Sequence, residues 1–149
     1  MDRLDKIQLH LLKGYYKEIC LIEMDLYKAR KLRMDNKCQR YFNSTQIRNA
    51  FARWMTYAVY VNRYYTITEL TRELVTNRQT IVTMIADTEA EGWVEVIRNK
   101  KGTKLKATNE LVFRFEEYCQ WRKAITKSYT GTLYNKLNDF NNLVNLELK

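Results

Sequence analysis

Apolar residues recur along most of this chain at intervals of three and four, the spacing that gathers them on one face of a helix. The first run takes in Leu4, Ile7, Leu11, Tyr15, Ile19, Ile22 and Leu26 and predicts a helix from the N-terminus to Arg33. Leu12 and Tyr16 widen the stripe, so the helix has more than one neighbour to pack against. A helix of about thirty residues is ~45 Å long. Its apolar face has two candidate covers, the C-terminal helix of the same chain or a second copy, and its length favours the second. Ser44 is placed to cap a further helix reaching about Asn62, with Ile47, Phe51, Trp54, Met55, Ala58 and Val61 on one broad face.

The pattern shortens between Thr66 and Thr108. Leu70 and Leu74 lie one turn apart in a short helical segment, and Val75 and Thr76 interrupt it. Asn77 is a good N-cap for the next helix, in which Ile81, Met84, Ile85 and Thr88 form the core-facing stripe. The opposite side carries Arg78, Gln79, Val82 and Thr83, side chains that donate to base edges or rest on a thymine methyl group. Gly92 stops the helix. Trp93 to Arg98 and Thr103 to Ala107 then alternate as strands around Asn99-Lys100-Lys101-Gly102, with Asn and Gly where a tight hairpin needs them. Tyr65 to Ile67 is a candidate short strand beside that hairpin. Two short helices and a basic hairpin are the layout of a winged helix-turn-helix.

After the hairpin, Thr108 is expected to cap a helix carrying Leu111, Phe115, Tyr118, Trp121 or Arg122, Ile125 and Tyr129. Gly131 is expected to break it, and Leu133, Leu137, Phe140, Val144 and Leu148 to resume the stripe in a final Asn-rich helix that needs a partner face.

Charge sharpens this picture. The net charge is +9, and the excess sits in residues 1–43 and 44–107, each with ten Lys/Arg against six Asp/Glu. A polyanion is the natural partner for such a surface. The basic run from Lys28 to Arg40 reads either as a phosphate contact or as a solvated helix end, where cations suit the dipole. Zero Pro and four Gly favour long helices.

Glu69-Leu70-Thr71-Arg72-Glu73-Leu74, Asn77-Arg78-Gln79-Thr80-Ile81-Val82, Glu89-Ala90-Glu91-Gly92-Trp93-Val94-Glu95 and Lys106-Ala107-Thr108 together resemble the DNA-binding core of MarR-type transcriptional regulators. The resemblance spans about residues 66–108. Two features depart from it: Asn99 and Lys101 stand where that family's wing carries a bracing Asp-x-Arg, and the wing is several residues shorter. The resemblance implies a homodimer built from interdigitating first and last helices. It also allows a small-ligand cleft near Tyr57, Tyr60, Tyr64 and Tyr65, a set that reads equally as core and interface. Cys20 is open to two readings, a redox-sensing thiol as in some members of that family or a small apolar side chain.

Enzymatic chemistry finds no foothold. His10 is the one histidine, Cys20, Cys38 and Cys119 show no metal-ligand spacing, and no Gly-rich phosphate loop or nucleophile elbow occurs. No cofactor and no membrane partner is expected, since no apolar run nears the ~20 residues that span a bilayer. An odd cysteine count suits a reducing cytosol, so a cytoplasmic, nucleoid-associated protein is expected.

The expected fold is therefore mainly α with a small β-hairpin wing, a winged helix-turn-helix core flanked by long N- and C-terminal helices forming a dimerisation region. In domain terms, 1–149 is a single domain with a DNA-binding core at 44–108 and helical arms at 1–35 and 109–149. The expected partner is double-stranded DNA of pseudo-palindromic sequence, bound by a homodimeric regulator. Its base-reading residues would be Asn77, Arg78, Gln79, Val82 and Thr83, and its backbone contacts Arg98, Lys100, Lys101 and Lys104. The alternative is a winged helix used as a protein-interaction module, docking on polymerase or on another regulator.

Overall fold

The computed structural model describes residues 2–147, and of 125–134 and 147 the backbone alone. The elements in chain order are α1 (Arg3–Leu32), α2 (Lys37–Asn43), α3 (Gln46–Tyr60), β1 (Tyr65–Thr66), α4 (Ile67–Glu73), α5 (Arg78–Ala90), β2 (Val94–Asn99), β3 (Gly102–Ala107) and α6 (Asn109–Glu147). The fold is mainly helical with one small antiparallel sheet, as the periodicity predicts.

The chain divides into two compact units, Lys31–Tyr118 and the pair of segments Met1–Arg30 with Cys119–Lys149. In the first, Phe51, Met55, Leu70, Ile81 and Leu105 are fully buried, so α3, α4, α5 and β3 meet at one centre. Cys38 and Phe42 from α2 and Leu111 from α6 join the same cluster. The sheet order is β1-β3-β2, with Leu105 opposite both Tyr65 and Val96. In the second unit Ile22, Leu26 and Leu137 are buried, and the Gln8 amide donates to Asn141 Oδ1 at 3.2 Å.

One helix was not expected, and two expectations need correction. The residues after α1 form a separate helix, α2, capped by the Asn36 side chain, which accepts from the Gln39 N–H; two buried residues, Cys38 and Phe42, are too few to show as a periodic stripe. The cap of α3 is Thr45, accepting from the Arg48 N–H, while the Ser44 hydroxyl donates back to the Tyr41 carbonyl. That helix ends at Tyr60, two residues before Asn62. Gly131 does not break the last helix, which runs unbroken from Asn109 to Glu147. A glycine inside a helix costs only about 1 kcal/mol relative to alanine, and it stops a helix only where the backbone turns left-handed after it. The side chains of Ile125, Tyr129 and Leu133, and all of Leu148, fall outside the described residues.

Candidate nucleic-acid interface

The surface centres on α5. Asn77 caps it, its Oδ1 accepting from the Thr80 N–H at 2.8 Å and from the Thr80 hydroxyl at 3.0 Å. Ile81, Met84, Ile85 and Thr88 are buried, and the Thr88 hydroxyl is satisfied by the Met84 carbonyl at 2.7 Å. This packing fixes the helix's rotation about its own axis. It leaves Asn77, Arg78, Gln79, Val82 and Thr83 exposed along the other side. Gln79 and Thr83, one turn apart, are within hydrogen-bond reach of each other at 3.4 Å.

Before α5, α4 starts on a capping box: Thr66 Oγ1 accepts from the Glu69 N–H at 3.1 Å, and Glu69 Oε1 accepts from the Thr66 N–H at 3.3 Å. Arg63 also pairs with Glu69. Burial alone would raise the Glu69 carboxyl, but the hydrogen bonds from Thr66 and Arg63 outweigh it and hold the group below its ordinary value. The Thr66–Glu69 spacing is itself a sequence signal for this cap, independent of the leucine pair that predicts the helix.

Helices α3, α4 and α5 end alike. In each, the first residue past the C-cap turns left-handed, at Asn62 (φ 54°), Val75 (φ 50°) and Gly92 (φ 76°). The N–H groups return to earlier carbonyls: Val75 to Arg72 at 3.2 Å with Thr76 to Thr71 at 3.1 Å, and Gly92 to Glu89 with Trp93 to Thr88, both at 3.0 Å. This is the paired pattern of the Schellman motif.

β2 and β3 are joined by Lys100 and Lys101 alone, inside the Asn99–Gly102 pair. Asn99 Oδ1 accepts from the Lys101 N–H at 2.9 Å and shapes the turn. Arg98 reaches back to α5 and donates twice to Glu89, at 2.8 and 2.7 Å. That bidentate pair fastens the hairpin, one residue pair below its turn, to the helix carrying the exposed face, through a contact that residue spacing does not announce. Arg98 is thus engaged by an acid, unlike the other three wing cations singled out from the sequence. Among the described residues, no carboxylate forms an ion pair with Arg78, Lys100, Lys101 or Lys104.

The acids of α5 and its C-cap, Asp87, Glu89 and Glu91, all lie toward the C-terminal end, and each has a donor from another part of the chain. Asp87 accepts from the Tyr41 hydroxyl at 2.9 Å, Glu89 from Arg98, and Glu91 pairs with Lys37. The first turn carries no acid.

Of the four tyrosines weighed as a cleft, Tyr57 and Tyr65 both pack on Trp54, while Tyr60 and Tyr64 reach different acids. Tyr65 is buried, with its ring 5.3 Å from Trp54 and beneath the Arg63 guanidinium. Tyr60 donates to Glu116 at 2.7 Å, Tyr64 donates to Glu95 at 3.0 Å, and Tyr57 is half exposed against Trp54. The Thr108 hydroxyl, expected as a helix cap, instead donates to the Gly92 carbonyl at 2.8 Å and ties the start of α6 to the end of α5. Cys20 is exposed and Cys38 buried. Among the described residues no helix is long and apolar enough to cross a membrane.

No family model matches the sequence, and no curated protein is similar to it. Solved structures do share its fold. The YusO protein from Bacillus subtilis superposes with a TM-score of 0.54 at 17% identity, over 91% of this chain and 96% of that one. A MarR family protein from Bacillus stearothermophilus gives 0.54 at 13% identity, over 99% of this chain and 98% of its own. The fold is the MarR-type winged helix.

Proposed function

We propose that the chain is a sequence-specific double-stranded DNA-binding transcriptional regulator acting as a homodimer, and not an enzyme. The observation that carries this reading is the two-sidedness of α5. Its Ile81/Met84/Ile85 side is locked in the core, while Arg78, Gln79, Val82 and Thr83 stand exposed with a cationic hairpin on the same unit. In this reading α5, with its cap Asn77, lies in the major groove. Gln79, Val82 and Thr83 meet base edges, and Arg78 donates to a guanine or to the backbone. Lys100, Lys101 and Lys104 hold phosphates beside it, and Arg98 serves the backbone through the hairpin it steadies. The second copy covers exposed apolar positions of α1 and α6, and the two-fold axis demands a pseudo-palindromic site with half-sites ~10 bp or a multiple apart. Such a protein works in the cytoplasm, on the nucleoid.

The test is selection of bound duplexes from random DNA, followed by titration of a labelled winner at low and moderate salt. Gln79→Ala or Thr83→Ala is expected to lose discrimination at particular bases. Lys101→Ala is expected to weaken all sequences alike and to lower the salt slope by about one unit. No affinity at either salt would leave the short wing and exposed helix face to a protein partner instead.

A further inference from the structure

Among the three left-handed helix ends, one breaks the rule the other two follow. Asn and Gly tolerate that conformation; a β-branched residue there is a genuine outlier, because its Cβ substituents crowd the following carbonyl. Val75 nevertheless holds φ 50° at the turn between α4 and α5. The turn gains the two backbone hydrogen bonds of its helix end, which Asn or Gly would make equally well, but the valine side chain gains no packing within the chain, being 91% exposed. The strain is therefore coupled to an apolar group facing solvent at the foot of the exposed helix. That group lies in an open concavity it shares with Thr68, Thr71, Arg72, Thr76 and Arg78, hydroxyls and cations suited to a phosphodiester backbone.

A strained residue type whose side chain touches nothing in its own chain points to a benefit gained in a complex. We propose that Val75 is an apolar DNA contact, its isopropyl group packing on a deoxyribose edge or a thymine methyl when α5 enters the groove. Thr68 and Arg72 then flank it on the phosphates, Arg72 exchanging its 3.5 Å pairing with Glu73, while the Thr71 hydroxyl stays on the Ile67 carbonyl. The proposal rests on the DNA-binding reading above and adds to it a residue of the turn, outside both the recognition helix and the wing.

The experiment uses the full chain and a duplex recovered by selection. Val75→Gly removes the strain and the contact together. Its Tm is expected to rise by about 3 °C, while affinity falls roughly tenfold, the worth of one buried branched side chain. The fall should be equal at low and moderate salt, because an apolar contact releases no counterions. Val75→Asn keeps a side chain that tolerates this backbone, so it separates lost apolar contact from a loosened turn. It is expected to match or exceed the wild-type Tm and to bind as weakly as Val75→Gly. Replacing thymines singly by uracil distinguishes the two edges: one position that weakens the wild type and not Val75→Gly identifies a methyl group, and none identifies the sugar. Wild-type affinity in either variant, or a lowered Tm in both, overturns the proposal. A wild-type chain that binds no selected duplex defeats the underlying DNA-binding reading first, and this proposal with it.

Discussion

Glu89 and Arg98 are each more than a third exposed, yet their geometry gives them a defined role: two parallel hydrogen bonds across the angle between α5 and β2. The hydrogen bond from Arg98 lowers the Glu89 pKa from its ordinary 4.5. A carboxylate with a depressed folded value stabilises the fold fully above the ordinary value and loses that contribution as pH falls through the lower one. Glu89→Gln should therefore lower Tm by a constant amount from neutral pH down to about pH 5. The two melting curves should converge as the carboxyl is protonated in stronger acid; a gap that does not narrow as pH falls would mean the pair does not act through charge. Cys38 presents the opposite case. Burial, with Glu110 adding to it, pushes its thiol up to about 11, so it is not a thiolate at neutral pH. A maleimide should label exposed Cys20 in the native protein, and Cys38 only after unfolding. Rapid native labelling of Cys38, read by mass spectrometry, would contradict its placement in the core.

At the scale of elements, the hairpin is the part most exposed to a single change. Gly102 sits at φ 122°, a conformation that side chains resist even where space is free, and no atom lies within 4 Å of the position a Cβ would take. Gly102→Ala should cost ~1–3 kcal/mol through backbone strain alone, seen as a lower denaturant midpoint with an unchanged slope. An unaltered midpoint would show that the turn can re-form around alanine. This element, like α5, was legible in advance because its determinants are local. Asn77 three residues before Thr80, the Ile81/Met84/Ile85/Thr88 stripe and the Asn99–Gly102 turn each state their structure within a few residues. The parts that were not legible depend on distance or on absence. Arg98 meets Glu89 only once Gly92 has reversed the chain. Helix α2 is about two turns with only Cys38 and Phe42 buried and no period to detect, and Val75 occupies a left-handed position where nothing in its residue type announces one. Gly131 misled in the reverse sense, a residue type that permits a break without requiring it.

For the whole molecule, the question left to chemistry is what covers the apolar positions that the described residues leave open. Leu4, Ile7, Leu9 and Tyr16 on α1, and Leu143 and Leu146 on α6, are 39–67% exposed. Substituting such residues on a free surface costs within about ±0.5 kcal/mol. Ile7→Glu combined with Leu143→Glu should therefore leave the monomer fold intact. If a second copy covers them, the same pair places charges inside an interface, where unpaired burial is strongly unfavourable. The double variant is expected to sediment as a monomer where the wild type sediments at twice the chain mass. Its affinity for an isolated half-site should be unchanged. On the full pseudo-palindrome it should be ~10²–10⁴-fold weaker, because the second contact is no longer intramolecular. Equal loss on half-site and full site would instead point to a damaged α5, and an undisturbed dimer would move the interface to other residues of the chain.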